Sequence, residues 1–315
     1  MKSCLVTTLR DADAVAETFV AYHHSLGFTH IYLFFDESDS LMADALADLP
    51  YVTCFKRGEL LEKQWKQNKL YEDYRLHINR EVMARQILNV EVAIRLAQQA
   101  NYDWILHIDI DELFVCEEDL TSHFQRLTNE GNSVVHYLNH EAVPEQTNIM
   151  NYFEEVTLFK LNPHLLTRNQ ISICEATIGQ FKNFFRFYRN GKSAGYLHQQ
   201  LLPHGVHEFL PDKLTKTEYK GHILHYPCCG FSQFWKKYKM LGDFSNYWFD
   251  QYPISHSFPT HTTARDVVKT NDQELALRFY KLMFTDQAKT SIIDKLIDNS
   301  IYFRFHPLKQ RVGKL

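Results

Sequence analysis

The first 115 residues alternate between a strand period and a helix period, and few architectures accommodate that alternation. "SCLVTTL" reads as a short buried strand; Val15, Phe19, Tyr22 and Leu26 then recur at helical spacing, with Gly27 as a C-terminal stop. "HIYLFFD" is a second strand, "LMADALADL" a short helix ended by Pro50, and "YVTCF" a third strand. The polar, mixed-charge segment Lys56 to Arg75 reads as a mobile loop with helical pieces. Met83, Ile87, Val90, Ile94 and Ala97 then form one apolar stripe, the strongest helix signal in the chain, and "DWILHID" follows as a strand. Strands separated by helices demand a mostly parallel sheet covered on both faces, so the expected fold class is α/β, doubly wound. Ligands of such open sheets sit beyond the carboxyl ends of the strands. "FFDESDS" and "HIDIDE" both place their acidic residues there.

The second half has a different texture. "SVVHYLNHEAV" reads as a strand, and an irregular stretch rich in His, Asn and Gln follows. "FSQFWKKYKML" puts Phe231, Phe234, Tyr238 and Leu241 on one helical face, a core helix that also explains Trp235. Further helices are expected through "ARDVVKTNDQELALRFYKLMF" and "TSIIDKLID". No repeat, low-complexity tract or linker splits the 315 residues.

A formal net charge of −4 does not suggest bulk binding to nucleic acid. The six cysteines form no C-x-x-C pair, which excludes a zinc ribbon, and a chain this long needs no disulfide staples. The apolar run in "MKSCLVTTLRDADAV" is too short for a signal peptide, and no apolar stretch reaches a membrane span. The expectation is a cytoplasmic protein, peripheral to a membrane at most. Its tail, "IYFRFHPLKQRVGKL", would be the contact, although an ordinary solvated C-terminus accounts for it as well. The 23 Phe and 17 Tyr are first of all core material, and only second stacking platforms for a base or sugar.

In "NYDWILHIDIDELFVC" an apolar strand runs into Asp109, Asp111 and Glu112 and back to apolar residues. Clustered carboxylates repel, and burial makes ionising them costlier, so a positive group is expected among them. Residues i and i+2 of a strand point to the same face, so Asp109 and Asp111 are expected to project together, with Ile110 turned inward. That pair suits a hard divalent cation with positions open to phosphate oxygens. The plainer reading is an acidic strand end facing water.

"WILHIDIDELF" resembles the D-x-D segment of glycosyltransferases with the GT-A fold, which bind a nucleotide-sugar through a divalent metal. The closer resemblance is to the bacterial family 2 subset and the related family 92 enzymes. "LRDADAVAETFVAYHHSLGFTHIYLFFDESDS" looks like their first unit. "NGKSAGY", "GVHEF" and "ILHYPCCGFSQFWKKY" look like their Lys-Ser, Val-His and His-Tyr landmarks, in order across residues 1 to 240. Arg10-Asp11 stands where the family commonly has Asn-Glu, and "NHEAVPE" where a Phe-Gly turn is expected.

The resemblance implies a GT-A type, Rossmann-like sheet over residues 1–230, with a nucleotide-sugar half to about 115, an acceptor half to about 230, and a C-terminal helical extension over 231–315. It implies a hexosyltransferase of polysaccharide or lipopolysaccharide assembly, using Mn2+ or Mg2+, a UDP-linked donor and a glycan or lipid-linked acceptor. Asp109 would lie at the donor ribose or metal, and Asp111 on the metal. His225 is the first choice for a third ligand and His207 the second. Asp36 and Asp39 would meet base and ribose, with Thr7, Thr8 and Arg10 lining the same pocket. Lys192 would meet a phosphate, or else belong to an exposed "RNGKS" turn. Inversion at the anomeric carbon needs a base near the acceptor hydroxyl, and Glu208 and Glu141 are the candidates.

Two other classes use similar residues. A nucleotidyltransferase or metal-dependent phosphohydrolase would favour a Gly-rich phosphate loop, and none is visible among 11 glycines. A non-catalytic carbohydrate-binding module would have little use for an intact Asp109-Ile110-Asp111.

Overall fold

The structure, a computed structural model, describes residues 1–179, 181, 184–211, 215–254, 260–285 and 289–309, the side chains of 211 and 215–221 excepted. The last six residues of the basic tail, 310–315, lie outside the described residues. The elements run β1 (Ser3–Leu9), α1 (Asp13–Leu26), β2 (His30–Phe35), α2 (Leu41–Ala47), β3 (Val52–Lys56), α3 (Glu59–Trp65), α4 (Tyr71–Tyr74), α5 (Val82–Gln99), β4 (Trp104–His107), β5 (Glu112–Phe114), α6 (Leu120–Asn129) and β6 (Val134–Ala142). There follow α7 (Tyr152–Glu155), β7 (Leu158–Lys160), α8 (Arg168–Ile178), β8 (Lys192–Tyr196), β9 (Leu201–His204), β10 (Glu208–Pro211), β11 (Thr215–His225) and α9 (Phe231–Leu241). The chain ends with β12 (Tyr247–Trp248), β13 (Tyr252–Pro253), α10 (Thr260–Lys269), α11 (Gln273–Tyr280), α12 (Thr290–Asp298) and β14 (Tyr302–Arg304).

The chain forms two compact units. One gathers Met1–Leu138 and Asn190–Ile223, the other Asn139–Arg189 and Leu224–Arg311. The units divide inside the long strands β6 and β11 and between Arg189 and Asn190, ahead of β8, and the chain returns to the first unit after leaving it.

In the first unit the strands order β3-β2-β1-β4-β8-β6. β1 pairs in parallel with β2 (Cys4↔His30 to Leu9↔Phe35) and with β4 (Ser3↔Trp104 to Val6↔His107), and β2 with β3. β8 runs antiparallel to β4 and to β6. The doubly wound α/β expectation holds: every strand in this order but β8 points the same way. The chain leaves β1 towards β2 and later returns to its other side as β4, so the order reverses between β1 and β4.

Local sequence accounts for the crossovers. Gly27 adopts a left-handed φ of 118° and closes α1 by donating to His23 and His24 carbonyls. Ser40 caps α2 by accepting from the Ala43 N–H. The 18-residue α5 buries Ile87, Val90, Ile94 and Ala97, of which the last three pack with Cys4, Val6, Phe34 and Ile105 of the sheet. The segment read as a loop contains α3 and α4, with Trp65 buried in the same core.

Two clusters of described residues form cores of the second unit. One joins Leu158, Cys174, Phe184, Leu296 and Tyr302, and the other Phe234, Tyr238, Ala264, Tyr280 and Phe284. The stretch "ARDVVKTNDQELALRFYKLMF" is two helices rather than one, broken where Asn271 takes a positive φ of 61°. The C-terminal part is not purely helical: β14 pairs antiparallel with β7. No described helix is long and apolar enough to cross a membrane.

Candidate active site at the end of the fourth strand

Helix α5 presents three polar side chains to three strand ends. Asn89 donates to Thr8 Oγ1 near the end of β1 (2.9 Å), and Arg85 clasps Asp36 beyond β2 through two bonds of 2.5 Å. Gln86 donates to Asp109 Oδ1 beyond β4 (3.0 Å). Asn89 also accepts from the Trp65 indole at 2.8 Å, which ties α3 to the same line. Arg85 and Asn89 lie four apart within an otherwise apolar stripe, and that interruption is the one sequence signal for them.

β4 stops at His107, and Asp109 to Glu112 close a turn in which the Glu112 N–H donates to the Asp109 carbonyl at 3.1 Å. The strand alternation invoked for Asp109 and Asp111 therefore does not apply, and Ile110 is half-buried rather than turned into the core. Glu112 opens β5 fully buried, its Oε2 accepting from the Asp109 N–H at 2.6 Å.

The positive group that this turn requires is Lys192. Its ammonium lies 2.7 Å from Asp109 Oδ2, donates to the Val206 carbonyl at 3.0 Å, and stands 3.8 Å from Glu112. Lys192 is wholly buried, so neither the exposed turn nor direct contact with a phosphate describes it. Its position depends on Gly191, which has a φ of 74°; a Cβ there would fall 1.8 Å from the Tyr137 carbonyl. Two landmarks of the sequence are joined here. Lys192 and Ser193 bond the carbonyls of Val206 and His207, and His207 Nδ1 donates to the Gly191 carbonyl at 2.9 Å.

Electrostatics follow from burial and from that ammonium. Burial alone would lower the Lys192 pKa, but Asp109 and Glu112 outweigh it and hold it raised. Burial pushes Asp109 up, yet Lys192 keeps its carboxyl well below the usual range. Glu112 goes the other way, its carboxyl raised by burial against the opposing pull of Lys192. His107 drops to about 3 and His207 to about 4, both through burial and then Lys192, so both imidazoles are neutral at neutral pH. His107 Nε2 and Glu112 Oε1 are buried with no hydrogen-bond partner among the described residues.

The opening landmark has a structural role. Tyr22 donates to the Phe114 carbonyl at 2.9 Å, and His23 Nε2 accepts from the Phe114 N–H at 3.2 Å while its Nδ1 donates to Phe19. "YHH" thus clamps the strand that follows the carboxylate turn.

The other predicted residues scatter. Thr7 is buried beside Thr8; Arg10 is largely exposed and 4.0 Å from Asp11; Asp39 is exposed. Asp36 is committed to Arg85. Glu208 is half-buried on β10. Glu141 and His225 belong to the second unit. Glu141 is buried, 2.5 Å from the Lys160 ammonium, and accepts from the N–H groups of Arg186 and Phe187, so its lone pairs serve the fold rather than a reacting hydroxyl. The His225 ring packs against Tyr188 and Phe187 at 4.7 and 5.8 Å between centroids.

Among the described residues no three His, Cys, Asp or Glu side chains assemble into a protein metal cage. A cation that kept waters and was shared with phosphate oxygens would ask for only one or two carboxylates, and Asp109 and Asp111 are those that this turn offers. Lys192 and Gln86 each engage one oxygen of Asp109, and Asp111 is half-buried in the same turn.

No protein-family model matches the chain. It is similar to two glycosyltransferase-like proteins of Arabidopsis thaliana. The identity is 30% over 246 residues with one and 29% over 245 with the other, 73% of this chain in each case. The chain spans about half the length of these curated relatives, 54% and 48%. Among solved structures, the CMP:2-keto-3-deoxy-manno-octonic acid synthetase complexed with CTP superposes with a TM-score of 0.29 at 10% identity, covering 63% of this chain and 75% of that one. HddC from Yersinia pseudotuberculosis gives 0.24 at 14% identity, over 45% and 59%. Scores this low carry no argument about the site.

Proposed function

We propose that the chain is a glycosyltransferase that moves a sugar from a nucleotide-sugar, taken as UDP-linked, to a glycan or lipid-linked acceptor. The observation that carries the reading is the carboxylate turn at the end of β4, beside the strand-order reversal where such sheets take nucleotides. The likeness to the two glycosyltransferase-like proteins supports it.

In this reading Asp111 is the protein ligand of a Mn2+ or Mg2+ ion that arrives with the donor. When bound, that ion neutralises charge gathering on the departing nucleoside diphosphate. Asp109, held by Gln86 and Lys192, is oriented toward the donor ribose. Lys192 cancels the Asp109 charge, so the turn does not repel an incoming diphosphate as two bare carboxylates would. Thr8 and Asn89 border the same strand ends. For inverting transfer the acceptor hydroxyl needs a base, and Glu208 takes that role.

The test is Asp111→Asn, a near-isosteric change at a half-buried position. The expected result is an unchanged melting temperature without ligand, loss of the metal-dependent thermal shift given by the native chain with UDP-sugars, and loss of transfer. A variant that keeps full donor binding and transfer removes Asp111 from the site. Products decide the class: free or transferred sugar with UDP supports a glycosyltransferase, whereas a new nucleotide-sugar from nucleoside triphosphate supports a nucleotidyltransferase.

A further inference from the structure

The hairpin of β12 and β13 displays aromatic side chains at the surface and holds its tip in a costly conformation. Tyr247 pairs with Pro253 and Trp248 with Tyr252. At the base the Ile254 N–H donates to the Asn246 carbonyl at 2.8 Å, and at the tip the Gln251 N–H donates to the Trp248 carbonyl at 3.0 Å. The two tip residues, Phe249 and Asp250, take left-handed φ values of 53° and 57°. Turns with both central φ positive favour Asn-Gly, and a bulky side chain there is an outlier. Tyr252 is 62% exposed and Tyr247 49%, while Trp248 and Phe249 are half-buried.

Helix α10 anchors this hairpin. Arg265 donates to the Phe244 carbonyl at 2.6 Å and to Asn246 Oδ1 at 2.9 Å, and its guanidinium lies 5.1 Å from the centre of the Phe244 ring. Phe244 in turn stacks on Trp248, with 5.8 Å between centroids and 13° between planes. Ala264 and Val268, on either side of Arg265, fix α10 in its core. Residues directly opposed across an antiparallel pair share a face, so Trp248 and Tyr252 stand together and Tyr247 lies on the reverse. The groups around that pair are polar without being basic. Ser245, Asn246, Asp250 and Gln251 are exposed, and residues 245–253 contain no Lys or Arg. The nearby cations are matched, Arg265 by Asp266 at 2.8 Å and Lys269 by Asp243 at 2.5 Å.

We propose that the Trp248–Tyr252 ledge binds a neutral glycan, with a sugar ring laid on Tyr252 beside Trp248 and the amides of Asn246 and Gln251 reaching its hydroxyls. A pyranose has an apolar C–H face and a rim of hydroxyls that both donate and accept. Aromatic rings edged by side-chain amides answer both parts. Tyr and Trp do so with little rotamer freedom to lose. An anionic lipid surface or a nucleic-acid backbone would call for cations that residues 245–253 lack. A folded protein partner would call for about 800 Å² on its side, more than two strands of two residues supply. The proposal concerns the second unit and uses no residue of the carboxylate turn, so it stands or falls apart from the transfer reading.

Affinity electrophoresis of the full chain tests it, in native gels cast with mixed-linkage β-glucan, galactomannan or arabinoxylan, and with anionic polygalacturonate for comparison. The expected result is retardation by at least one neutral polymer and none by polygalacturonate. Tyr252→Ala should weaken the retarding interaction by about tenfold, whereas Tyr247→Ala, on the reverse face, should leave it unchanged. Both tyrosines are exposed, so both variants should keep the native melting curve. Mobility unaffected by every neutral polymer, or full retardation of Tyr252→Ala, overturns the proposal. Equal loss in the two variants overturns it as well, because it shows general aromatic adhesion rather than a ledge. So does binding to phosphatidylcholine vesicles that Tyr252→Ala abolishes while no glycan retards the chain, which assigns the hairpin to a lipid interface.

Discussion

The pair of half-buried Asp109 and buried Lys192 shows how a residue can be readable in kind and not in identity. Three acidic side chains at a strand end called for a positive partner, and a metal ion was the nearest answer that local sequence could suggest. The partner that the fold supplies lies 83 residues away, and no local pattern joins the two positions. Asp36 repeats the point, since its place at the end of β2 was legible but its commitment to Arg85, 49 residues on, was not. Removing one member of a buried pair strands the other charge, so Lys192→Met should cost about 3–5 kcal/mol in urea unfolding. Adding Asp109→Asn to that variant should restore part of the loss, because the stranded carboxylate is gone. Equal stability of native chain and single variant would show that the pair is solvated rather than buried.

At the scale of elements, the long periodic pieces were legible and the short ones were not. β1 to β4 and α1, α2 and α5 carry their own apolar periods or stop signals. α3 and α4 have seven and four residues, too few to display a period, and polar contacts hold their region in place. Trp65 bonds Asn89, Asn68 donates to the Leu88 carbonyl at 2.8 Å, and Glu91 accepts from the N–H groups of Lys69 and Leu70. A helix that buries Asn89 and Glu91 looks imperfect in a hydrophobic pattern, and those imperfections fasten the preceding segment. Asn89→Ala should therefore destabilise the chain by roughly 1–3 kcal/mol, the cost of leaving the Trp65 indole and Thr8 hydroxyl without this partner. Hydrogen exchange should accelerate first in residues 59–70. Uniform acceleration across the sheet would contradict a local fastening role.

For the whole molecule, buried neutral histidine makes stability depend on pH. His23 is buried, which lowers its pKa to about 3, against roughly 6.5 in an unfolded chain. Between those values the unfolded state binds the extra proton, so the His23 contribution is intact above about pH 6.5 and is lost as pH falls toward 3. Asp109 acts in the same direction, and Glu112, whose folded pKa is raised, acts against it. Urea midpoints should decline from neutral pH to about pH 4. His23→Asn should be less stable at neutrality but show a flatter decline. A variant curve parallel to the native one would remove His23 as a source of the dependence.

Because the counter-ion of the carboxylate turn is encoded so far downstream, the first half of the chain is no self-sufficient module. A ribosome that has released only residues 1–116 has delivered the acids without their base. A chain truncated at that point, or a chimera grafting it onto foreign strands, inherits an electrostatic debt that only the Gly191-Lys192 strand settles. Exchange of parts among proteins of this design must therefore carry β8 along with β4.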